Sequence, residues 1–218
     1  MNNLARWRRK RKRLVYSVVI VSALMLVLTS VLGYLGARLP ARVNLAAGPE
    51  WLISDLQSRI ERYEASVKVS PDNFNLLVQL GNSYYQLGQA YADSGDQEAS
   101  AASFASAVEP YGRALAINSQ DVNVRVDRAV AAFRSGSLDI AEQEFREAIK
   151  IDPTHPKAFF NYGVFLHIGR NQPRQAAEQW QRVIELNPPD DPQLVTTARQ
   201  WLAQVEGALP AAPPRPRQ

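Results

Sequence analysis

The fold is decided by residues 141–188, which read AEQEFREAIKIDPTHPKAFFNYGVFLHIGRNQPRQAAEQWQRVIELNP. One pattern occurs twice in this stretch: a small residue, an aromatic residue four positions later, a small or apolar residue three further on, and a proline five beyond that. The two sets are Ala141, Phe145, Ala148 and Pro153, and then Ala176, Trp180, Val183 and Pro188. Steps of three and four place side chains on one helical face, and proline stops a helix. The stretch therefore predicts two helices of the same design.

The same pattern occurs a third time upstream, with serine in place of proline. It is formed by Ala107, Tyr111, Ala114 and Ser119. A second helix is predicted before each of these, because Gly81, Ala129 and Gly163 occupy equivalent small positions. Small residues let a neighbouring helix approach, and the aromatic residue fills the space between the two helices. The chain is thus predicted to contain helix–turn–helix units at residues 74–121, 122–155 and 156–190, of which the second has 34 residues and the third 35.

This period and this pattern resemble the tetratricopeptide repeat (TPR) family over residues 74–190. The resemblance implies an all-α fold, a TPR-type α-solenoid of antiparallel helix hairpins. It also implies a truncated unit at residues 50–73, where Tyr63, Val67 and Pro71 fit the second helix, and a capping helix at residues 191–209. The cap is predicted to bury one stripe, Leu194, Ala198, Trp201, Leu202 and Val205. Residues 210–218, rich in proline, are predicted to be disordered.

Two units depart from the family pattern. The first is 14 residues too long, and we expect these residues to lengthen both helices by two turns rather than to form a loop, because most of them are compatible with a helix. Pro110 is expected to kink its helix. In the second unit, Arg125 and Arg128 occupy positions where the family usually has bulky apolar residues. We expect them to extend toward solvent or to pair with acids.

The N-terminal part predicts a membrane anchor. Seven basic residues lie within residues 1–13, and residues 14–37 contain no charge. At about 1.5 Å per residue a helix of this length spans a hydrocarbon core of about 30 Å. A cleaved signal peptide is the alternative, but the apolar run is longer than a usual signal core and no suitable cleavage site follows. Because only two cations follow the span, at Arg38 and Arg42, the N-terminus is predicted to be cytoplasmic. The linker at 38–49 and the repeats are then extracytoplasmic.

Composition excludes several classes of function. The chain has no cysteine and two histidines, which argues against thiolate metal sites, disulfides and histidine-rich metal sites. No catalytic or phosphate-binding motif is present, so we predict that the chain is not an enzyme and needs no cofactor or metal. Glu142 and Glu144 are expected on a solvated helix face, and His155 is expected to be exposed in an inter-repeat turn. Residues 43–218 carry a net charge of −5, so nucleic-acid binding is not expected.

The resemblance implies a binding surface on the concave face, formed by the first helix of each unit. The inner positions of the family correspond here to Asn75, Val78, Asn82, Tyr85, Gln86, Asn123, Val126, Val130, Phe133, Arg134, Lys157, Phe160, Val164, His167 and Ile168. We expect Tyr85, Phe160 and His167 to share one surface. One subtype of the family grips C-terminal carboxylates with Lys, Asn and Arg. Asn82 and Lys157 match that subtype, whereas three required positions hold Val78, Asp127 and Asn161, so this clamp is not predicted.

The leading hypothesis is therefore a single-pass membrane adaptor that binds a protein or peptide ligand, with the lipid bilayer contacted through residues 14–37. The order of a basic start, one span and a TPR array looks like several bacterial envelope proteins, and parts of units two and three resemble the TPR segment of cytochrome c maturation factors. A translocon-associated chaperone-like subunit and a structural organiser of an envelope complex are alternatives. The sequence leaves the oligomeric state open.

Overall fold

The computed structural model describes residues 49–208, and within this range the chain forms helices and no strand. The eight α-helices are α1 Pro49–Val69, α2 Phe74–Ser94, α3 Gln97–Ile117, α4 Val122–Arg134, α5 Leu138–Ile151, α6 Pro156–Val164, α7 Pro173–Leu186 and α8 Pro192–Ala208. A π-helical turn, Phe165–Gly169, directly continues α6. No helix of residues 49–208 is both long enough and apolar enough to cross a bilayer. The predicted membrane helix at 14–37 and the predicted tail at 210–218 lie outside the described residues.

The helix ends follow from local side-chain chemistry. Asn73, Asp96 and Asp121 each accept a hydrogen bond from the backbone N–H three residues ahead, at 3.1, 3.0 and 3.0 Å. Such a cap stabilises a helix by about 1 kcal/mol because it satisfies a donor that has no partner within the helix. The turns after α2 and α4 contain Gly95 and Gly136 with φ of 87° and 86°. Glycine adopts this left-handed conformation without steric cost, so the chain reverses here.

Each hairpin closes on a contact between a small and a large residue. A Cβ atom on Gly81 would lie 2.6 Å from the Tyr111 ring, and one on Gly163 would lie 2.5 Å from Trp180 Nε1. Neither site has room for a larger side chain, so the paired helices approach as closely as the glycines permit. The prediction that Gly163 lies where two helices touch is confirmed.

The fourteen extra residues of the first unit are helical. Helices α2 and α3 have 21 residues each, and α3 runs through Pro110. A Cβ on Gly88 would lie 2.9 Å from the Phe104 ring. Gly88 follows Gly81 by seven residues and Phe104 precedes Tyr111 by seven, so the insertion repeats the small-to-aromatic contact two turns further along both helices.

The single extra residue of the third unit lies within a helix. The connections at residues 135–137 and 170–172 are both three residues long, and α5 and α7 both have 14 residues. Helix α4 has 13 residues, whereas α6 with its π-helical turn covers residues 156–169. A π-turn holds more residues than an α-turn, so the wide turn accommodates the additional residue.

The interior consists of two apolar clusters joined at the middle of the solenoid. The N-terminal cluster contains buried residues of α1 to α4, and the C-terminal cluster contains buried residues of α4 to α8. Helix α8 covers the last hairpin with Val195, Ala198 and Val205, while Trp201 is half-buried. Val195 was not part of the predicted stripe. It is buried because it lies three residues before the buried Ala198, on the same face of the helix.

An ion cluster between α4 and α5 corrects one prediction. Glu144 is only 4% exposed rather than solvated. Its carboxylate accepts hydrogen bonds from Arg125, at 2.5 Å, and from Arg128. Arg125 also donates to the Ser119 carbonyl at 2.9 Å. The two arginines that replace apolar residues therefore bury one glutamate between the helices, because a buried charge requires a partner.

Candidate protein-binding surface

The first helices of the three units, α2, α4 and α6, provide nearly all residues around one hollow. We call the side of the solenoid formed by these helices the first-helix face. The hollow has a volume of about 330 Å³ and is lined by Asn82, Tyr85, Gln86, Gln89, Tyr111, Asp127, Val130 and Asn161. Seven of these come from the first helices, and Tyr111 reaches the hollow from α3.

Tyr111 reaches through the helix seam because the facing residue on α2 is Gly81. Its ring is buried against Gly81, and its hydroxyl donates a 2.7 Å hydrogen bond to Asn82 Oδ1. Burial, chiefly, raises the pKa of the Tyr111 phenol, so it remains protonated and keeps donating. This contact fixes the Asn82 amide with its carbonyl oxygen turned to Tyr111. The Asn82 amino group is then left to donate to a ligand.

An aromatic edge borders the hollow on the side of α3. The Tyr85 ring lies 5.1 Å from the Phe104 ring in an edge-to-face arrangement, and the Arg134 guanidinium lies 4.5 Å above the Phe104 ring. Burial raises the pKa of Tyr85, and the nearby Asp127 charge acts in the same direction, against Arg134. Tyr85 is half-buried, so part of its ring is available to a ligand.

Asp127 is the one charged residue among those that line the hollow. The side chain is accessible to solvent, yet it stands inside a depression whose walls replace much of the water around the carboxylate. This desolvation, aided by the charge of Asp121 and opposed by that of Lys157, raises the pKa of Asp127 to about 6. No salt bridge or side-chain hydrogen bond from residues 49–208 engages it.

The structure distributes the predicted binding residues over three environments. Exposed residues are Asn75, Gln86, Asn123, Arg134, Lys157 and Ile168. Half-buried residues are Val78, Asn82, Tyr85, Val130, Phe133, Phe160, Val164 and His167. Val126 corrects the predicted set, because it is only 5% exposed and packs in the C-terminal cluster. Four of the predicted residues, Asn82, Tyr85, Gln86 and Val130, meet at the hollow.

The aromatic residues of unit three do not line this hollow. His167 lies edge-on to Trp180 and Trp201, with centroid distances of 5.9 Å to both, and its Nδ1 is buried. The Phe160 carbonyl accepts a 3.2 Å hydrogen bond from Trp180 Nε1, and its side chain packs against the C-terminal cluster. Of the three residues expected to share one surface, Tyr85 lines the hollow, whereas Phe160 and His167 do not.

His155 is a structural residue rather than an exposed one. It is half-buried, and its Nδ1 accepts a 3.2 Å hydrogen bond from the Ala158 N–H, which caps α6. Its Nε2 lies 3.2 Å from Asn123 Oδ1. Burial lowers the pKa of His155, and the nearby Lys157 lowers it further, against Asp152. The neutral imidazole that this favours suits an N-cap acceptor.

Four lining residues were absent from the predicted set: Gln89, Tyr111, Asp127 and Asn161. Three of them lie at helical spacing from predicted residues, since Gln89 is three after Gln86 and Asn161 is four after Lys157. Asp127 precedes the predicted Val130 by three. Only Tyr111 had no such signal, because its access to the hollow depends on the Gly81 contact across the hairpin.

Known proteins support the repeat assignment. Residues 85–156 match the model of the tetratricopeptide repeat family. Small glutamine-rich tetratricopeptide repeat-containing protein 2 of Mycosarcoma maydis is 32% identical over 98 residues, which cover 44% of this chain and 27% of that protein. The chain thus matches about a quarter of this relative's length. The tetratricopeptide repeat family is therefore supported for this chain.

Three solved structures have a similar arrangement of helices at low sequence identity. MamA has a TM-score of 0.48 at 16% identity, over 71% of this chain and 88% of that one. SycD of Yersinia enterocolitica, in complex with a peptide of the translocator YopD, has a TM-score of 0.45 at 17% identity, over 58% and 92%. The second TPR domain of human RPAP3, in complex with an HSP70 peptide, has a TM-score of 0.44 at 20% identity, over 62% and 98%.

Proposed function

We propose that this chain is a TPR adaptor that holds a peptide segment or a partner protein on its first-helix face. The hollow carries this proposal. Side chains from three consecutive repeats converge there and combine amide groups, a carboxylate and the partly exposed ring of Tyr85. Such a mixture suits a ligand that offers both backbone polar groups and side chains. No group of three or more histidines, aspartates or glutamates in residues 49–208 is arranged to hold a metal ion.

Site-specific photocrosslinking in native membranes tests this proposal. A photoreactive amino acid at Gln86, which is exposed and lines the hollow, should capture a partner. The matched control is Lys150, whose side chain is 75% exposed on the second helix of unit two. Adducts at both positions alike, or at Lys150 alone, would contradict binding on the first-helix face.

In its finer form, the proposal places the adaptor at a membrane. Residues 14–37 would form the anchor, and the excess of basic residues before them favours a cytoplasmic N-terminus. The repeats would then stand on the opposite side of the bilayer. An alkaline phosphatase reporter fused after residue 209 should be active, and a cytoplasmic reporter fused at the same position should not. The reverse result would contradict the topology while leaving the adaptor function in place.

The pathway we propose is cytochrome c maturation, which is supported by the resemblance of units two and three to that group of TPR proteins. A subunit of a secretion translocon with chaperone-like activity, and a structural organiser of an envelope complex, are the alternatives. The identity of the captured partner decides between them. An apocytochrome c or a haem lyase supports maturation, a secreted precursor or translocon subunit supports the second role, and an envelope structural protein supports the third.

A further inference from the structure

We propose that the hollow receives a lysine or arginine side chain from an extended partner peptide, paired with the Asp127 carboxylate. The inference rests on the proposed function, since it assumes that a peptide lies across the first-helix face. It adds the chemical class of the residue that this face selects.

The first argument is the state of the Asp127 charge. The carboxylate stands in the hollow and has lost part of its hydration, but it has gained no hydrogen-bond donor or salt bridge from residues 49–208. Two charges act on it from a distance. Asp121, at the start of α4, disfavours the anion, and Lys157 on α6 favours it. Burial raises the pKa of the group to about 6, so at neutral pH it remains mainly ionised but poorly stabilised. A cation from outside would supply the missing partner.

The second argument is the composition of the walls. The other seven lining residues carry no charge, and four of them are half-buried or exposed amides, Asn82, Gln86, Gln89 and Asn161. Amide oxygens can accept additional hydrogen bonds from an ammonium or guanidinium group. An anionic ligand would meet Asp127 without a compensating cation in the walls. Charge complementarity therefore favours a basic group over an acidic one.

The third argument concerns the path of the bound peptide across the hollow. Helix α2 contributes Asn82 and Gln89 on one side of Asp127, and α6 contributes Asn161 on the other. The Asn82 amino group is free to donate to a backbone carbonyl, because its oxygen already accepts from Tyr111. Polar groups on both sides of the acid suit a peptide that continues in both directions. We therefore assign the cation to a side chain within the peptide rather than to a terminal amine.

The fourth argument concerns the role of Asp127 within the fold. Its side chain is accessible to solvent in the hollow, and it caps no helix and bridges no elements of residues 49–208. Ionisable groups that line a depression and have a shifted pKa are concentrated at functional sites. The other acids of the same hairpin have partners. Asp121 caps α4, and Glu144 pairs with two arginines.

The test uses the full-length chain in mild detergent and pools of synthetic peptides of about a dozen residues, roughly the length that spans three repeats in extended form. All pools but one are acetylated and amidated at their ends. They differ in one central residue, which is arginine, lysine, glutamine or glutamate, and a last pool has central glutamine with a free amino terminus. Each is titrated against the parent, Asp127→Asn, and Asp72→Asn, which removes an equal charge from an exposed turn.

We expect the arginine and lysine pools to bind the parent about tenfold more tightly than the glutamine pool, and more weakly as salt rises. Asp127→Asn should abolish this preference, and Asp72→Asn should retain it. Lys157→Gln, which removes the competing cation, should retain or increase it. Circular dichroism confirms that each variant is folded.

The outcomes separate the inference from the proposed function. Peptide binding without a basic preference, a preference for glutamate or for the free amino terminus, or a basic preference that survives in Asp127→Asn overturns the inference alone. The first-helix face would then still be a peptide-binding surface. Failure of every pool to bind the folded parent contradicts the proposed peptide binding and the inference together.

Discussion

At the scale of single residues, Asp127 and its neighbour Val126 show how one helical step changes the role of a side chain. Val126 packs in the C-terminal cluster, whereas Asp127 lines the hollow. Successive residues on a helix are rotated by about 100°, so two adjacent positions can face different environments. The chemistry of the two side chains matches these environments.

The raised pKa of Asp127 predicts that removing its negative charge by substitution stabilises the fold at neutral pH. The group titrates at about 6 in the folded chain against an ordinary value of 3.8. Between these values the folded state binds more protons than the unfolded state, so the free energy of unfolding falls as pH rises through this window. Asp127→Asn should therefore melt at a higher temperature than the parent at about pH 7.5, and the difference should shrink as pH falls toward about 4.

Thermal unfolding followed by circular dichroism at both pH values measures this effect. Asp72→Asn serves as the control and should melt like the parent at either pH, because its carboxylate lies in an exposed turn. If Asp127→Asn instead melts at a lower temperature at neutral pH, the carboxylate makes a stabilising contact and the argument for an unpartnered charge fails.

At Gly163 we expect substitution by alanine to destabilise the fold, although the same substitution usually stabilises a helix. In an unobstructed helix, glycine to alanine stabilises by roughly 1 kcal/mol. Gly207→Ala in α8 should show a smaller gain, because nothing lies within 4 Å of its added Cβ but the residue is the penultimate one of its helix. Gly163→Ala should instead destabilise by about 1–3 kcal/mol, since its Cβ would collide with Trp180. Urea denaturation of the two variants measures the difference, and a gain in both would mean that the hairpin seam adjusts freely.

At the scale of elements, the α4–α5 hairpin adds a buried ion cluster to the apolar contacts of its core. Glu144→Gln preserves the shape of the side chain but leaves Arg125 and Arg128 without their counter-charge. Removing one partner of a buried pair costs roughly 3–5 kcal/mol, so we expect a large loss in the free energy of unfolding. Glu147→Gln on the same helix breaks an exposed pair with Lys150 and should change it by less than about 1 kcal/mol. Similar small losses in both variants would show that the cluster contributes little.

The π-helical turn shows how an element absorbs a change in length. One extra residue between the two small positions of unit three would shift the register of α7 if it were added to an ordinary α-helix. The wide turn at Phe165–Gly169 accommodates it instead. Trp180 consequently still meets Gly163, as Tyr111 meets Gly81 in the first hairpin.

At the scale of the whole molecule, the presence of two apolar clusters predicts that a destabilising substitution in one cluster mainly affects the helices of that cluster. In a solenoid each repeat contacts its neighbours, so stability is distributed along the array. Trp180→Ala removes a fully buried side chain and should cost about 3–5 kcal/mol. Hydrogen exchange should increase most in α6, α7 and α8, while α2 and α3 should retain their protection. Phe104→Ala is the matched variant, and it should produce the opposite distribution. Uniform loss of protection in both would indicate one cooperative unit.

The sequence by itself determined that the chain forms helix hairpins and that Gly163 lies where two helices touch. These features follow from a local period of small, aromatic and proline residues, and each requires only that one helix fold back on the next. The greater length of α2 and α3 could also be predicted from the sequence, because fourteen residues divide into two equal additions of two whole turns.

The tertiary structure alone decided which polar and aromatic side chains are available to a ligand. Glu144 is buried because Arg125 and Arg128 lie opposite it, and His167 is half-buried because Trp180 and Trp201 pack against it. Tyr111 reaches the hollow only because Gly81 leaves room for its ring. In each case the environment of the side chain depends on residues in another helix. A pattern within one helix defines which positions share a face, but the packing of neighbouring helices defines what that face meets.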